Sequence, residues 1–166
     1  MDDYSDTITE LATTLGAMLQ QKCWVLATAE SCTGGMLAEV ITSIAGSSLW
    51  FDRAFISYSN QAKIDMLGVQ EATLETYGAV SEQVVNEMAL GAFHNSDASI
   101  AVSITGIAGP SGGTQSKPVG MVCFGFAYNA QIITTTQFFN GNRIEIRQQA
   151  VVFAMQQLVV HVESVN

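Results

Sequence analysis

The chain has 166 residues, of which 48% are hydrophobic and 13% are charged, and its formal net charge is -9. The length fits one domain, and so apolar a composition excludes intrinsic disorder for the bulk of the chain. With 6 Lys plus Arg against 15 Asp plus Glu, the chain lacks the basic face that nucleic-acid binding requires, so no nucleic-acid partner is expected. The charged fraction is about half of the ~25% typical of soluble proteins, which favours a homo-oligomer, a dimer or larger.

The N-terminus and the cysteines indicate a protein of the cytoplasm that does not bind membranes. Residues 1–4 are acidic and polar and lack the basic and apolar regions of a signal peptide. No window reaches the ~18 consecutive apolar residues of a transmembrane helix. The cysteines at 23, 32 and 123 form no CxxC pair, which is typical of free thiols in a reducing compartment.

Hydrophobic periodicity predicts helices that alternate with strands, followed by a hairpin and a last helix. The predicted helices span residues 5–21, 36–44, 60–67, 82–93 and 143–162, and the predicted strands span residues 24–28, 53–58, 99–104, 119–128 and 131–139. Gly68 is expected to close the third helix and Ser81 to cap the fourth. This order favours a single domain over residues 1–166 with the α/β fold of a three-layer α/β/α sandwich around a mixed sheet.

Two Gly-rich turns, at 29–35 and 105–113, each follow a predicted buried strand. Open α/β sheets bind ligands at the carboxyl ends of their strands, so these turns are candidate site elements. Ser31 in the first turn presents a hydroxyl between a strand and a helix, and the N–H groups of residues 32–35 can hold an oxyanion. The alternative is a structural cap with two glycines for close packing. Neither turn has the spacing of a known phosphate-binding loop.

The histidines exclude several mechanisms. Neither His94 nor His161 adjoins a Gly-rich turn, so a Ser-His-Asp triad would need the fold to bring one of them in. No His and Cys spacing supports a zinc site, and no metal is expected. Surface or packing roles are expected for both histidines.

The few cations are placed where an anionic ligand would need them. Lys63 lies five residues past a predicted strand end, Lys117 ends the second Gly-rich loop, and Arg143 and Arg147 lie one helical turn apart on the same face. The alternative for each is a solvated charge that pairs with one of the acids. A Ser without His can be activated by a Lys whose pKa is lowered by burial, so Lys63 is a candidate base for Ser31, and Tyr58 is a candidate for a proton relay. Cys32 is a rival nucleophile with no base beside it.

At these residues the sequence resembles the C-terminal domain of the competence-damage-inducible CinA family, whose stand-alone members are nicotinamide-nucleotide amidases. The matching stretches are Ala29-Glu30-Ser31-Cys32-Thr33-Gly34-Gly35, Ala45-Gly46-Ser47-Ser48, Tyr58-Ser59-Asn60 with Lys63, Leu67-Gly68-Val69, Gly78-Ala79-Val80-Ser81, Thr105-Gly106-Ile107-Ala108-Gly109-Pro110, Lys117-Pro118-Val119-Gly120, and Arg143 with Arg147. They span residues 29–147 in order, so the resemblance covers nearly the whole chain.

The resemblance implies hydrolysis of the carboxamide of nicotinamide mononucleotide to nicotinate mononucleotide and ammonia, within pyridine-nucleotide recycling, with no cofactor. It implies that Ser31 is the nucleophile, Lys63 its base and Tyr58 a supporting hydroxyl. The implied oxyanion donors are the N–H groups of Cys32, Thr33 and Gly34. The implied substrate-binding residues are Thr105, Gly106, Gly109, Gly112, Gly113 and Lys117 around the nucleotide, with Arg143 or Arg147 on its phosphate.

The chain departs from the family pattern at two positions. Asn142 stands before Arg143 where the family commonly has Asp, and Ser116 stands before Lys117 where an acid is usual. The first departure suggests the alternative of a catalytically silent nucleotide-binding or regulatory paralogue, and a hydrolase of another amide or nucleotide is a third hypothesis. Full-length family members also carry a large N-terminal nucleotide-hydrolase-like domain with no counterpart in this sequence, so no pyrophosphatase activity is expected.

Overall fold

The computed structural model describes residues 2–165, so Met1 and Asn166, the two ends of the predicted domain, lie outside the described residues. Its centre is a mixed sheet of order β2-β1-β3-β4-β5, with β1 parallel to β2 and β3, and with β4 and β5 antiparallel. The strands are β1 (Leu26–Glu30), β2 (Phe51–Ile56), β3 (Ile100–Gly106), β4 (Met121–Tyr128) and β5 (Gln131–Phe138). The predicted hairpin is confirmed, and its turn residues Asn129 and Ala130 have φ of 49° and 57°, as a tight hairpin turn requires.

Helices cover both faces of the sheet and complete the predicted three-layer sandwich. The helices are α1 (Asp2–Lys22), α2 (Met36–Thr42), α3 (Asn60–Leu67), α4 (Glu71–Tyr77), α5 (Glu82–His94) and α6 (Arg143–Glu163), with a 3₁₀ turn at Ser47–Leu49. One face carries α1, α2 and α6, and the other carries α5 with α3 and α4 packed beside it. Within residues 2–165, none of these helices is long and apolar enough to span a membrane.

The layer formed by α5 lies unusually close to its neighbours because glycines face them. A Cβ on Gly91 of α5 would lie 1.9 Å from the backbone oxygen of Leu67, at the end of α3. A Cβ on Gly125 of β4 would lie 2.7 Å from the backbone oxygen of Val85 in α5. These two positions therefore accept no side chain without movement of the backbone.

Several strand boundaries differ from the predicted ones, and the differences move residues of the Gly-rich turns into strands. β1 runs two residues further than predicted, so Glu30 belongs to the strand and Ser31 is the first residue after it. The pattern missed this because Glu30 is polar, yet its carboxylate is fully buried and hydrogen-bonded. β3 likewise extends through Thr105 and Gly106, which were expected in the loop. β2 begins and ends two residues earlier than predicted.

Two short elements were not predicted. The helix α4 buries only Leu74, so its seven residues give no amphipathic periodicity. The 3₁₀ turn at Ser47–Leu49 begins after Gly46, whose φ of 85° suits a glycine. Both elements lie between predicted ones and leave the topology unchanged.

Candidate active site

The carboxyl ends of the three parallel strands meet at one small cavity. Ser31 directly follows β1, Tyr58 lies two residues after β2, and Thr105 and Gly106 end β3. The cavity volume is about 220 Å³. It is lined by Ser31, Cys32, Tyr58, Asn60, Lys63, Ala79, Val80, Thr105, Gly106, Ala108 and Arg143. Half of the residues that the sequence singled out for the site therefore line this cavity, at the edge of the sheet where an open α/β fold binds ligands.

Ser31 and Lys63 are in direct contact at the bottom of the cavity. The Nζ of Lys63 lies 2.9 Å from Ser31 Oγ, 3.0 Å from Ser57 O and 3.1 Å from Tyr58 O. Lys63 is only 1% exposed and Ser31 8% exposed. No carboxylate lies within 4.0 Å of Lys63 Nζ among the described residues. The ammonium is therefore buried without an ionic partner.

Burial lowers the pKa of Lys63 because desolvation penalises the charged form, and the nearby Cys32 opposes this effect. The geometry suits either protonation state. As an ammonium, Lys63 donates to all three oxygens; as a neutral amine, it has two N–H donors for the two carbonyls and a lone pair that faces Ser31 Oγ. In the neutral form, Lys63 is thus placed to accept the hydroxyl proton of Ser31.

Helix α3 carries Lys63 into this position. Ser59 caps the helix, since its Oγ accepts a hydrogen bond from the Ala62 N–H at 3.0 Å. Gly68, in the left-handed conformation with φ of 69°, ends it as predicted. Only Lys63 and Leu67 of α3 are buried, so one face of this short helix points its single basic side chain inward.

The turn after β1 is held from below by the fully buried carboxylate of Glu30. One carboxylate oxygen accepts from Thr33 Oγ1 at 2.7 Å and from the Leu37 N–H at 2.9 Å, and the other accepts from the Ala38 N–H at 3.1 Å. Glu30 thereby ties the end of β1 to the start of α2. Glu30 belongs to a stretch that carries the resemblance, but the sequence predicted no role for it. Its three hydrogen bonds indicate that it holds the turn after β1 in place.

The backbone N–H groups of the turn are used unequally. The Ser31 N–H donates to Ile104 O at 3.0 Å, and the Gly34 N–H donates to Ser31 O at 3.0 Å. Gly34 is therefore a poor oxyanion donor, contrary to expectation, because its N–H is already paired. The N–H groups of Cys32 and Thr33 have no acceptor among the described residues, and they remain candidates.

Tyr58 contributes differently from the expected hydroxyl relay. Its backbone oxygen accepts from Lys63, whereas its phenol oxygen accepts from Arg143 Nη2 at 3.2 Å. No hydrogen bond joins the phenol to Ser31 or Lys63 in the described part of the chain. The side chain is 62% exposed and lies at the mouth of the cavity. The phenol thus contacts Arg143 at the mouth of the cavity, and its role as a proton relay stays a prediction.

The two arginines at the start of α6 occupy different places. Arg143 lines the cavity, and its Nη1 donates to Gly109 O at 2.8 Å. Arg147 is not among the residues that line the cavity; its Nε and Nη2 donate to Cys32 O at 3.1 Å and to Thr33 O at 2.9 Å. Of the two, Arg143 is therefore the one that borders the cavity.

The second Gly-rich loop lies around the mouth only in part. Thr105 Oγ1 donates to Ala79 O at 3.0 Å and so fixes a cavity wall that the sequence did not point to. Gly112 and Gly113 are exposed and do not line the cavity. The Nζ of Lys117 donates to Tyr77 O, outside the cavity lining. The cavity lining therefore gives no support for contact of Gly112, Gly113 or Lys117 with a ligand.

The rival nucleophile and the histidines have other roles. Burial raises the pKa of the Cys32 thiol to about 12, so at neutral pH Cys32 is protonated and unreactive. His161 Nδ1 lies 3.0 Å from the Tyr128 hydroxyl, and the ring packs on Phe126. Neither histidine lines the cavity. Among residues 2–165, no group of three or more His, Cys, Asp or Glu side chains is arranged to hold a metal ion.

Both departures from the family pattern have a local explanation. Asn142 caps α6: its Oδ1 accepts from the Ile144 and Glu145 N–H groups at 3.0 and 3.1 Å, and Glu145 Oε2 accepts from the Asn142 N–H at 2.7 Å. Asn serves in this capping box about as well as Asp. Ser116 is exposed, and its Oγ lies 3.4 Å from Thr114 Oγ1. Asn142 therefore leaves the start of α6, and with it Arg143, in place.

Sequence reasoning gave no role to Asn60, Ala79 and Val80, although all three line the cavity. Each belongs to a stretch that carries the resemblance, and that membership was the only signal available. Asn60 is exposed, and its side-chain amide has no hydrogen-bond partner among the described residues, so it is free to contact a ligand. Ala79 and Val80 supply an apolar wall.

Comparison with known proteins identifies relatives along nearly the whole chain. The family described as "CinA C-terminal domain" matches residues 8–162. The nicotinamide-nucleotide amidohydrolase PncC of Enterobacter agglomerans is 57% identical over 148 residues, which are 89% of this chain and 90% of the relative. The protein of the same name from Escherichia coli K12 is 52% identical, over 90% of this chain and 91% of the relative.

Solved structures agree with the sequence relatives. The competence/damage inducible protein CihA from Agrobacterium tumefaciens has a TM-score of 0.91 and 42% identity, over 95% of this chain and 96% of that chain. The protein ComA from Klebsiella pneumoniae has a TM-score of 0.93 and 33% identity, over 96% of this chain and 99% of that chain. The resemblance and the fold predicted from the sequence are confirmed, and the chain belongs to the CinA C-terminal domain family.

Proposed function

We propose that this chain is a nicotinamide-nucleotide amidase, which hydrolyses the carboxamide of nicotinamide mononucleotide to nicotinate mononucleotide and ammonia. The observation that carries the proposal is the 2.9 Å contact between Ser31 Oγ and the buried Lys63 Nζ, in a cavity whose mouth holds Arg143. Relatives with 57% and 52% identity bear the name of this activity, which supports the same substrate class here.

The contacts support a covalent mechanism in two halves. Neutral Lys63 accepts the Ser31 proton while Oγ attacks the carboxamide carbon, and the N–H groups of Cys32 and Thr33 are the available donors for the resulting oxyanion. The Lys63 ammonium then gives its proton to the amide nitrogen, which leaves as ammonia and leaves an ester on Ser31. Water attacks this ester, its proton passes to Lys63, and Lys63 returns a proton to Ser31 Oγ as the carboxylic acid departs.

The remaining walls fit the rest of a nucleotide. Ala79, Val80 and Ala108 offer an apolar surface for the pyridine ring, and Arg143 offers a cation at the mouth for the phosphate. The cationic ring would also favour the neutral form of Lys63, since a nearby positive charge lowers the pKa of an amine. The proposal invokes no metal or redox cofactor.

The proposal has a wider setting in the cell. We propose that residues 1–166 act as one amidase domain in pyridine-nucleotide recycling, in the cytoplasm, as a homo-oligomer. Support for the oligomer comes from the low charged fraction of 13% and from exposed apolar side chains such as Leu49 (70%), Phe138 (62%) and Ile144 (60%). The silent-paralogue alternative was suggested by Asn142, and no observation favours it now that Asn142 is seen to cap α6.

The test is ammonia release from nicotinamide mononucleotide by the purified protein, with nicotinamide riboside as the phosphate-free control. Wild type should turn over the nucleotide in preference to the nucleoside, and Ser31→Ala should abolish turnover while its thermal unfolding stays cooperative. Saturable nucleotide binding without ammonia would contradict the proposal and favour a silent paralogue. Near-wild-type turnover by Ser31→Ala would contradict the covalent serine mechanism.

A further inference from the structure

Arg147 directs its guanidinium at the backbone of the nucleophile turn. Its Nε donates to Cys32 O at 3.1 Å and its Nη2 to Thr33 O at 2.9 Å, so one planar fork spans two successive carbonyls. The described ion pairs all belong to Arg53, so no carboxylate neutralises Arg147 within 4.0 Å. The full positive charge of Arg147 therefore acts on the peptide groups of the turn.

Each of these carbonyls belongs to the same peptide unit as the N–H of the next residue. The Cys32 carbonyl and the Thr33 N–H belong to one peptide unit, and in a trans peptide the two groups point in opposite directions. Arg147 draws the carbonyl toward α6, so the Thr33 N–H faces away from α6. The second bond fixes the next unit, whose Gly34 N–H closes the turn onto Ser31 O.

The Cys32 N–H is the group that this arrangement leaves unpaired at the cavity. The oxygen of the same peptide unit, Ser31 O, accepts from the Gly34 N–H, so in the trans peptide the Cys32 N–H points the other way. Cys32 is buried, lines the cavity and has no acceptor for its N–H among the described residues. Thr33 is fully buried and does not line the cavity, so of the two unpaired N–H groups that of Cys32 is the one that borders it. Buried backbone donors are nearly always paired, so an unpaired one next to the nucleophile indicates an acceptor that arrives with the substrate. The charge-assisted bond from Arg147 to Thr33 O polarises the peptide unit whose Gly34 N–H bonds to Ser31 O, and through that bond it strengthens the Cys32 N–H as a donor.

We propose that Arg147 is a positioning residue, which orients and polarises the turn after Ser31 so that the Cys32 N–H stabilises the oxyanion formed by Ser31. This inference rests on the proposed amidase function. It separates the two arginines of α6: Arg143 contacts the substrate at the mouth of the cavity, and Arg147 acts on the reaction through the turn.

The first test compares Arg147→Met with the matched variant Arg143→Met, using nicotinamide mononucleotide as substrate. Loss of one oxyanion donor costs about 10²–10³ in kcat, and an indirect effect should be smaller, so Arg147→Met should lower kcat by about 10- to 100-fold with little change in KM. Arg143→Met should mainly raise KM. Arg147→Lys should resemble Arg147→Met, because an ammonium cannot span two carbonyls as a planar fork does.

The second test asks whether a guanidinium group restores the lost function. Millimolar guanidinium ion should partly restore kcat to Arg147→Met, whereas the same concentration of ammonium or sodium should not. If Arg147→Met lowers only the melting temperature, and its kcat in the folded protein equals wild type, Arg147 is merely structural and the inference fails. A raised KM with unchanged kcat would instead make Arg147 a substrate ligand and would also overturn it.

A third measurement separates this inference from the proposed function. The burst of p-nitrophenol from p-nitrophenyl acetate reports acylation of Ser31 and needs no nucleotide. Arg147→Met should slow the burst by a similar factor relative to wild type. A wild type that shows the burst but releases no ammonia from the nucleotide would contradict the proposed function alone. An unaltered burst in Arg147→Met would contradict the positioning role alone.

Discussion

The Ser31–Lys63 pair is stabilised by neutral groups, which distinguishes it from an ordinary buried ion pair. Lys63 contacts two backbone carbonyls and one hydroxyl, and no acid lies within 4.0 Å among the described residues. A carboxylate there would hold the lysine protonated and so remove the base. The absence of a partner is thus what allows burial to lower the pKa of Lys63.

The lowered pKa of Lys63 predicts the pH dependence of catalysis. If Lys63 is the general base, its neutral amine is the active form, so kcat/KM should rise with pH through a pKa below the usual ~10.4 of lysine and then level off. Lys63→Ala should lower kcat by about 10²- to 10⁴-fold, as expected for loss of a general base. Initial rates of ammonia release by wild type and by Lys63→Ala, measured from pH ~6 to ~10, test both expectations because this range lies below and up to the usual pKa of lysine.

The double variant tests whether the two residues act as one unit. Ser31→Ala with Lys63→Ala should be little slower than the slower single variant, because removing either residue already disables the pair. Tyr58→Phe should cost less than either, since its phenol contacts Arg143 and its backbone oxygen is retained. Additive losses in the double variant would show that Lys63 acts independently of Ser31.

Arg143 is predicted to act on binding. If it contacts the phosphate, Arg143→Ala should raise KM for the nucleotide by at least about 30-fold, the equivalent of ~2 kcal/mol for a charged hydrogen-bonded contact. Arg143→Lys should restore little of this, because the planar fork is lost. Nicotinamide riboside is the control: wild type and Arg143→Ala should turn it over equally. Equal KM values for the nucleotide would make the phosphate assignment wrong.

Among the elements, those with strong local signals were predicted and those fixed by tertiary contacts were not. The long helices, the almost wholly apolar β3 and the hairpin follow from periodicity, and they were found within a few residues of the predicted bounds. The end of β1 was misplaced because the pattern cannot foresee that the carboxylate of Glu30 is satisfied by Thr33 and by the start of α2. A local hydrophobic pattern carries no information on hydrogen-bond partners that only the folded chain brings together.

The start of α6 supplies a prediction on stability. Asn142→Ala removes the acceptor for two N–H groups and should lower the free energy of unfolding by about 1 kcal/mol. Asn142→Asp is the matched control: it restores the residue that is common in the family and should change stability by only a few tenths of a kcal/mol. Urea titration monitored by circular dichroism measures both. A large gain in activity for Asn142→Asp would show that the missing acid matters for catalysis after all.

The contact between α5 and the end of α3 gives a second prediction on stability. Gly91→Ala would place a Cβ 1.9 Å from the backbone oxygen of Leu67, so the two helices would have to separate. We expect a loss of at least about 2 kcal/mol in the free energy of unfolding, although alanine normally favours a helix over glycine. Leu90→Ala, at the neighbouring position that is 39% exposed, is the control and should cost much less.

At the scale of the whole molecule, the sequence pattern predicted that several candidate site residues meet at one edge of the sheet, but it did not separate the roles of all of them. The alternation of strands and helices placed Ser31 and Thr105 at the carboxyl ends of parallel strands, and Lys63 in the helix that follows β2. It left Arg143 and Arg147 indistinguishable, because one helical turn puts both on the same face. Only the tertiary contacts show that one lies in the cavity and the other on the turn.

The apolar surface predicts the size of the particle in solution. Phe138, at the end of the edge strand β5, is 62% exposed and adjoins an open groove of about 610 Å³ that includes Phe139, Val152 and Phe153. Multi-angle light scattering at micromolar protein should therefore give a mass of at least twice 17.7 kDa. Phe138→Lys should shift the population toward the single chain if this edge is covered in the oligomer. A mass of 17.7 kDa for wild type would contradict self-association.

The contacts of the cavity join parts of the chain that are far apart in sequence. Ser31 meets Lys63 across 32 residues, Tyr58 meets Arg143 across 85, and Cys32 meets Arg147 across 115. During synthesis, Ser31 and Lys63 are thus available long before Arg143 and Arg147 emerge with α6. A nascent chain therefore has no complete site, and recovery of ammonia release during refolding should report the docking of α6 and not the earlier formation of the sheet.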